Sequence, residues 1–186
     1  MDNFESAFYS PVAAPEQRTI EIEYAGIFRR WVAMFIDNLI TGAIGGIIGT
    51  VLGAALGVGV FNQIMSGAVA YDPNSGQLPT EIMNQMGDLQ FFVSIGGIIL
   101  SWLYFAGFES SSMQGTPGKK IMGIMVTDSD GDRISFGMAT GRFLGKGISA
   151  LILGIGYLIA FFTPKKQALH DFIAGTIVIR NQPEKY

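Results

Sequence analysis

The sequence predicts an α-helical membrane protein with two full transmembrane helices and a re-entrant or bent helical hairpin. A small β-hairpin or sheet is expected on the cytoplasmic side. Three observations carry this fold class. Residues 31–61 form an apolar stretch whose one charge is Asp37, and residues 89–108 form a second with none. About 20 apolar residues suffice to cross a bilayer core. Of the 186 residues 49% are apolar and only 15% charged, against roughly 25% charged in soluble domains. Finally, composition changes after Glu109, where turn-rich and β-compatible runs replace the apolar helices.

Residues 1–18 read as a disordered lead, because prolines and short polar residues leave little to bury. They lack the basic and apolar regions of a cleaved signal peptide. Residues 19–24, TIEIEY, alternate strictly and have strand character.

The first membrane helix is expected over 27–60. Arg29 and Arg30 stand at its start, and Asp37 lies inside it, seven residues after Arg30 and so on the same helical face. A carboxylate within a span costs roughly 2.5–3.5 kcal/mol on insertion scales, so it should face protein or a wet cavity. Two roles stay open for Asp37: a structural lock between packed helices, or an ion-binding group in transport. Thr41, Gly45, Gly49, Gly53 and Gly57 continue its spacing of four residues. Glycine at that spacing lets a second backbone approach closely. The partner is either this chain's own second helix or another copy.

Between Arg30 and Lys119 there is no Lys or Arg. Basic residues flanking short spans stay in the cytoplasm, so the connector at 61–88 should be external and both termini cytoplasmic. The second helix is expected over 89–108, with Trp102, Tyr104 and Phe108 as an interfacial aromatic belt.

Residues 119–136 contain two β-compatible runs around Asp130–Gly131, a hairpin signal. The strand-like segments 19–24 and 176–180 are expected to join it. Residues 136–163 place Arg142, Lys146 and Ser149 on one face, then run apolar to Phe162 with a break at Gly154–Gly156. Fifteen apolar residues are short for a crossing, and a bend there keeps Lys165 and Lys166 on the cytoplasmic side. A turn and strand should fill 164–181.

Several motifs fail on inspection. GTPGKK has Met113 and Lys120 where a phosphate loop needs Gly and Ser or Thr. DSDGD lacks the later Gly and Glu of a calcium loop, so a hairpin turn explains it better. His170 is the only histidine and no cysteine exists, which argues against a zinc site, a disulfide or a catalytic triad. We expect no enzyme, no cofactor, no metal and no nucleic-acid partner.

Three ordered blocks, YAGIFRRWVAMFID, GTPGKKIMGIMVTDSDGDRISFGMATGRF and LHDFIAGTIVIR, resemble the RDD family of small membrane proteins over about residues 22–180. The resemblance makes residues 19–181 one RDD-type membrane domain. It implies Arg29 or Arg30, Asp37 and Asp171 as the residues that name the family. It also implies transport of an unidentified ligand, with cation/proton exchange suggested within the family.

The expectation for function is therefore a transporter in the inner or plasma membrane of a bacterium, acting through an intramembrane carboxylate. Arg30, Arg142 or Lys146 would supply the cation beside Asp37, and Asp171 would gate the inner end. Two crossings are too few for an alternating-access path, so a homo-oligomer is expected. The alternative is a non-catalytic scaffold or accessory subunit assembling other membrane proteins in the lipid bilayer.

Overall fold

The computed structural model describes residues 22–152 and 154–181. The expected N-terminal lead at 1–18 and the first part of TIEIEY lie outside them. Two long helices dominate: α1 (Ile27–Met65) and α2 (Thr80–Ser110). Both are long and apolar enough to cross a membrane. At 1.5 Å per residue α1 would span ~58 Å and α2 ~46 Å, more than a hydrocarbon core of about 30 Å. Each runs further than the expected apolar stretches, so the connector shrinks to 66–79.

The remaining elements gather where α1 begins and α2 ends. They are α3 (Pro117–Ile121), β1 (Ile124–Asp128), α4 (Phe136–Leu151), α5 (Ile155–Leu158) with a 3-10 turn after it, α6 (Leu169–Ile173) and β2 (Thr176–Arg180). α3 packs on α1, while α4 packs on α2 and α6. Their shared core includes Ala33, Ala106, Ile124, Val126, Ala139 and Val178. Beyond it α1 and α2 touch sparsely, and their outer residues, such as Ile47, Val51, Phe92 and Ile99, are exposed.

The sheet corrects the expected hairpin at 119–136. β1 pairs antiparallel with β2, from Ile124 opposite Arg180 to Asp128 opposite Thr176. After the Asp130–Gly131 turn only one bridge forms, Thr127 to Arg133. The cause is local. Asp128 Oδ1 accepts the backbone N–H groups of Asp130 and Asp132, Ile134 turns into the core, and Ser135 caps α4 by accepting from Met138 N. A helix cap thus takes the place of a second strand. On the other edge of β2, Tyr24 bridges Ile179 and Ala25 N donates to Val178 O. Segments far apart in sequence are stitched together there.

Two residues of the expected aromatic belt also touch protein. Trp102 Nε1 donates to Thr140 Oγ1 at 3.0 Å and its ring meets Phe136, while Tyr104 donates to Asp37. Both turn into protein contacts. α4 and the helical turns after it form a pair bent by 114°, and Gly154 at the break has φ +78°, which favours glycine.

Candidate functional site

Asp37 is 1% exposed and buried against α3. Side chains tilt toward a helix's N-terminus, so Asp37 leans back over the turn that carries Ala33. There it meets the segment 116–118. Thr116 Oγ1 donates to Oδ2 at 2.5 Å; Gly118 N and Tyr104 Oη donate to Oδ1 at 2.9 and 3.0 Å. Gly118 is required: a Cβ there would lie 2.2 Å from Ala33 O and 2.9 Å from the carboxylate. The failed phosphate loop is in fact the cradle of the Asp37 carboxylate.

No cation pairs with Asp37 among the described residues. That corrects the expectation of Arg30, Arg142 or Lys146 beside it. The same tilt carries the Arg30 side chain away from Asp37, and its Nη1 donates to Asp171 Oδ2 at 2.6 Å. Arg29 Nη1 donates to Met122 O, at the end of α3, at 3.1 Å.

The other charges form one connected network. Arg142, 1% exposed on α4, donates through Nε to Glu109 Oε2 at 2.8 Å and through Nη1 to Asp171 and Thr176. Glu109, fully buried on α2, also accepts from Lys119 Nζ at 2.5 Å and Lys146 Nζ at 3.0 Å, both on Oε1. Lys146 stands 4.5 Å from the Phe105 ring centroid. Asp171 further accepts from Ala168 N at 3.0 Å, which closes the turn into α6. Arg142 thus ties α2, α4, α6 and β2 together.

Burial pulls the Lys119 ammonium down to about 8 against the pull of Glu109. Burial also pushes His170 down to about 3, so this side chain is neutral at pH 7. For Asp171, burial alone would raise the pKa, but Arg142, His170 and Arg30 hold it well below the usual carboxylate range.

Beside this network lies a cavity of about 460 Å³. Arg30, Asp37, Asn38, Lys119, Arg142, Lys146 and His170 supply most of its polar lining. Trp31, Met34, Ile98, Phe105 and Leu144 supply much of the apolar lining. Among the described residues no three His, Asp or Glu side chains gather as metal ligands.

Six charged residues stood out from sequence. The structure brings Arg30, Asp171, Arg142 and Lys146 into one network, keeps Asp37 next to it on neutral donors, and sets Arg29 apart against the end of α3. Glu109, Lys119, Thr116, Tyr104 and Thr176 were not anticipated. Glu109 had a signal of its own, since an acid directly after an uncharged span invites a basic partner. The glycines at 45, 49, 53 and 57 are exposed, and a Cβ at any of them would meet nothing within 4 Å. They therefore do not pack on this chain's own α2, and the close approaches fall at Gly118, Gly145 and Gly156.

This architecture of two long apolar helices capped by a buried ion network has a family. The RDD family pattern matches residues 24–175, and the chain belongs to that family. It is similar to the uncharacterized protein YxaI of Bacillus subtilis (strain 168), with 33% identity over 157 residues, 83% of this chain and 96% of that protein. It is also similar to a proline-rich antigen homolog of Mycobacterium tuberculosis (strain CDC 1551 / Oshkosh), with 31% identity over 107 residues, 56% of this chain and 44% of that protein. No solved structure matches.

Proposed function

We propose that the protein is a membrane carrier that binds its solute in the cavity beside the Arg30–Asp171–Arg142–Glu109 network. The observation that carries this reading is a cavity of about 460 Å³, lined by the ion network and by exposed apolar residues of the long helices. Its volume falls within the roughly 300–1,000 Å³ of small-molecule sites. Apolar helices left uncovered by protein need lipid or a partner, which supports a multi-pass protein of the cell membrane. The lack of basic residues from 31 to 118 supports cytoplasmic termini.

In this reading Asp37 locks α1 to α3 and is not itself the travelling ion's ligand. Three donors already hold it, and four cations line the same cavity, which disfavours cation exchange there. The open Gly45–Gly57 ridge supports a homo-oligomer or a helix of another membrane protein as its cover. That same ridge favours the second reading, a scaffold subunit, in which the cavity has no transport role.

Proteoliposome flux separates the two. Gly147 lines the cavity, and a Cβ there meets nothing within 4 Å, so Gly147→Phe should fold while filling the space. We expect flux of at least one small ion or organic anion in wild type, lost in Gly147→Phe at equal folded yield. Flux no greater than in protein-free liposomes, or flux indifferent to Gly147→Phe, overturns the carrier reading.

A further inference from the structure

Resting on that carrier reading, we infer that the cavity takes an amphiphile with an oxyanion head, seated among Arg30, Lys119 and Lys146, with its chain against Ile98, Phe105 and Leu144.

Charge carries the first part. The cavity and its adjoining network hold four cations, Arg30, Lys119, Arg142 and Lys146. Against them stand three carboxylates, Asp37, Glu109 and Asp171, which leaves one positive charge in excess. Arg142 already spends Nε and Nη1 on Glu109, Asp171 and Thr176. Arg30 is not. Its Nη1 reaches Asp171, while Nε and Nη2 are buried with no partner among the described residues. Guanidinium N–H groups without acceptors are costly in a buried site. These two atoms are closed to water as the side chain stands, so an oxyanion meets their fork once the Arg30 side chain turns toward the cavity it lines. Lys119 and Lys146 share the one oxygen Oε1 of Glu109, so two ammoniums divide a single acceptor and each retains further donors.

The apolar rim carries the second part. Trp31, Ile98 and Leu144 line the cavity from α1, α2 and α4 and are 52%, 57% and 62% exposed. Each therefore shows one side to the cavity and another to the surroundings of the long helices. A free inorganic anion gains nothing from such a rim. An acyl chain does, because it moves from bilayer to cavity without crossing water. Burying its methylenes adds to the hold of the head, as apolar contact does in most small-molecule sites.

The test uses the purified full-length protein in a neutral detergent with three probes: oleoyl lysophosphatidate, oleoyl lysophosphatidylcholine and inorganic phosphate. Binding is read by native mass spectrometry and by the shift in thermal unfolding midpoint. We expect saturable binding of lysophosphatidate, weakened roughly tenfold in Lys146→Gln by loss of a charged contact and abolished in Gly147→Phe. Lysophosphatidylcholine should bind far more weakly, and inorganic phosphate should not compete at millimolar concentration. Equal binding of the two lipids, or binding indifferent to Gly147→Phe, overturns the oxyanion site. Effective competition by inorganic phosphate overturns the amphiphile and leaves a simple anion site. Should lysophosphatidate fail while Gly147→Phe still abolishes flux, the ligand class is wrong and the carrier reading stands. Lysophosphatidate binding without any flux keeps the site and overturns the carrier reading.

Discussion

Arg142 and Glu109 hold each other in a buried pair, Nε to Oε2 at 2.8 Å, that joins α4 to α2. Removing one member of such a pair leaves an uncompensated charge, at roughly 3–5 kcal/mol. Glu109 is also the one carboxylate that Lys119 and Lys146 reach among the described residues, whereas loss of Arg142 leaves Glu109 its two lysines and Asp171 its Arg30. We expect Glu109→Gln to lower folded yield in detergent at least as much as Arg142→Met. The double variant should recover part of the loss, as measured by thermal unfolding. Strictly additive losses would mean the two side chains do not act as a pair.

Gly118 and Gly49 make a second contrast. A Cβ on Gly118 strikes Ala33 O and the Asp37 carboxylate, whereas one on Gly49 meets nothing. Gly118→Ala should therefore destabilise the folded chain by about 1–3 kcal/mol or more, the usual range for overpacking. Gly49→Leu should leave the monomer's unfolding midpoint unchanged and act only on assembly, read by size-exclusion chromatography with light scattering. A lowered midpoint for Gly49→Leu at the dilution where only monomer remains would place another part of this chain on the ridge.

Part of this was legible in the sequence. Long uncharged runs pointed to α1 and α2, and the every-four spacing put Asp37 on a face with small residues. Arg142 and Lys146 were readable as one face of a helix from their i, i+4 spacing. What local spacing does not contain is which cation meets which acid. Arg30 and Asp171 are 141 positions apart, Arg142 and Glu109 33. Those pairings depend on how α4 and α6 dock, and therefore on close approaches such as Gly145 on His170. The cradle of Asp37 was hidden for a different reason. Thr116 and Gly118 sit in what resembles a phosphate motif, and their donors turn out to serve a carboxylate of the same chain. The hairpin failed because Ser135 is a stronger helix cap than residues 134–136 are a strand.

Acid should weaken the fold over two ranges of pH. His170 is held neutral by burial, with a pKa of about 3, among Asp171, Arg142, Lys146 and Glu109. The unfolded chain binds its proton from about pH 6.5 downward, so stability falls as pH drops below that, by about 2 kcal/mol at pH 5 for one such group. Asp171 has the depressed pKa of a paired carboxylate. Its contribution is complete above about pH 4 and is lost as pH falls further. Unfolding midpoints from pH 8 to 5 should decline for wild type and stay nearly flat for His170→Gln. Equal slopes for the two would exclude His170 as the sensing group.

Membrane orientation is open to a direct labelling experiment. Single cysteines at Asn74, in the connector, and at Lys165, after the bent segment, are both at exposed positions. An impermeant thiol reagent applied to intact cells should label position 74 and spare 165. Labelling at 165 would mean that residues 136–161 cross the membrane completely.

If the cavity beside the cation network is a ligand site open to the bilayer, a density map of the protein purified into lipid nanodiscs should show its occupant. We expect an elongated density there, with its head in contact with Arg30 and Lys146 and its tail passing between Ile98 and Leu144. A cavity closed by these side chains, or filled by a helix of a neighbouring subunit, would contradict it.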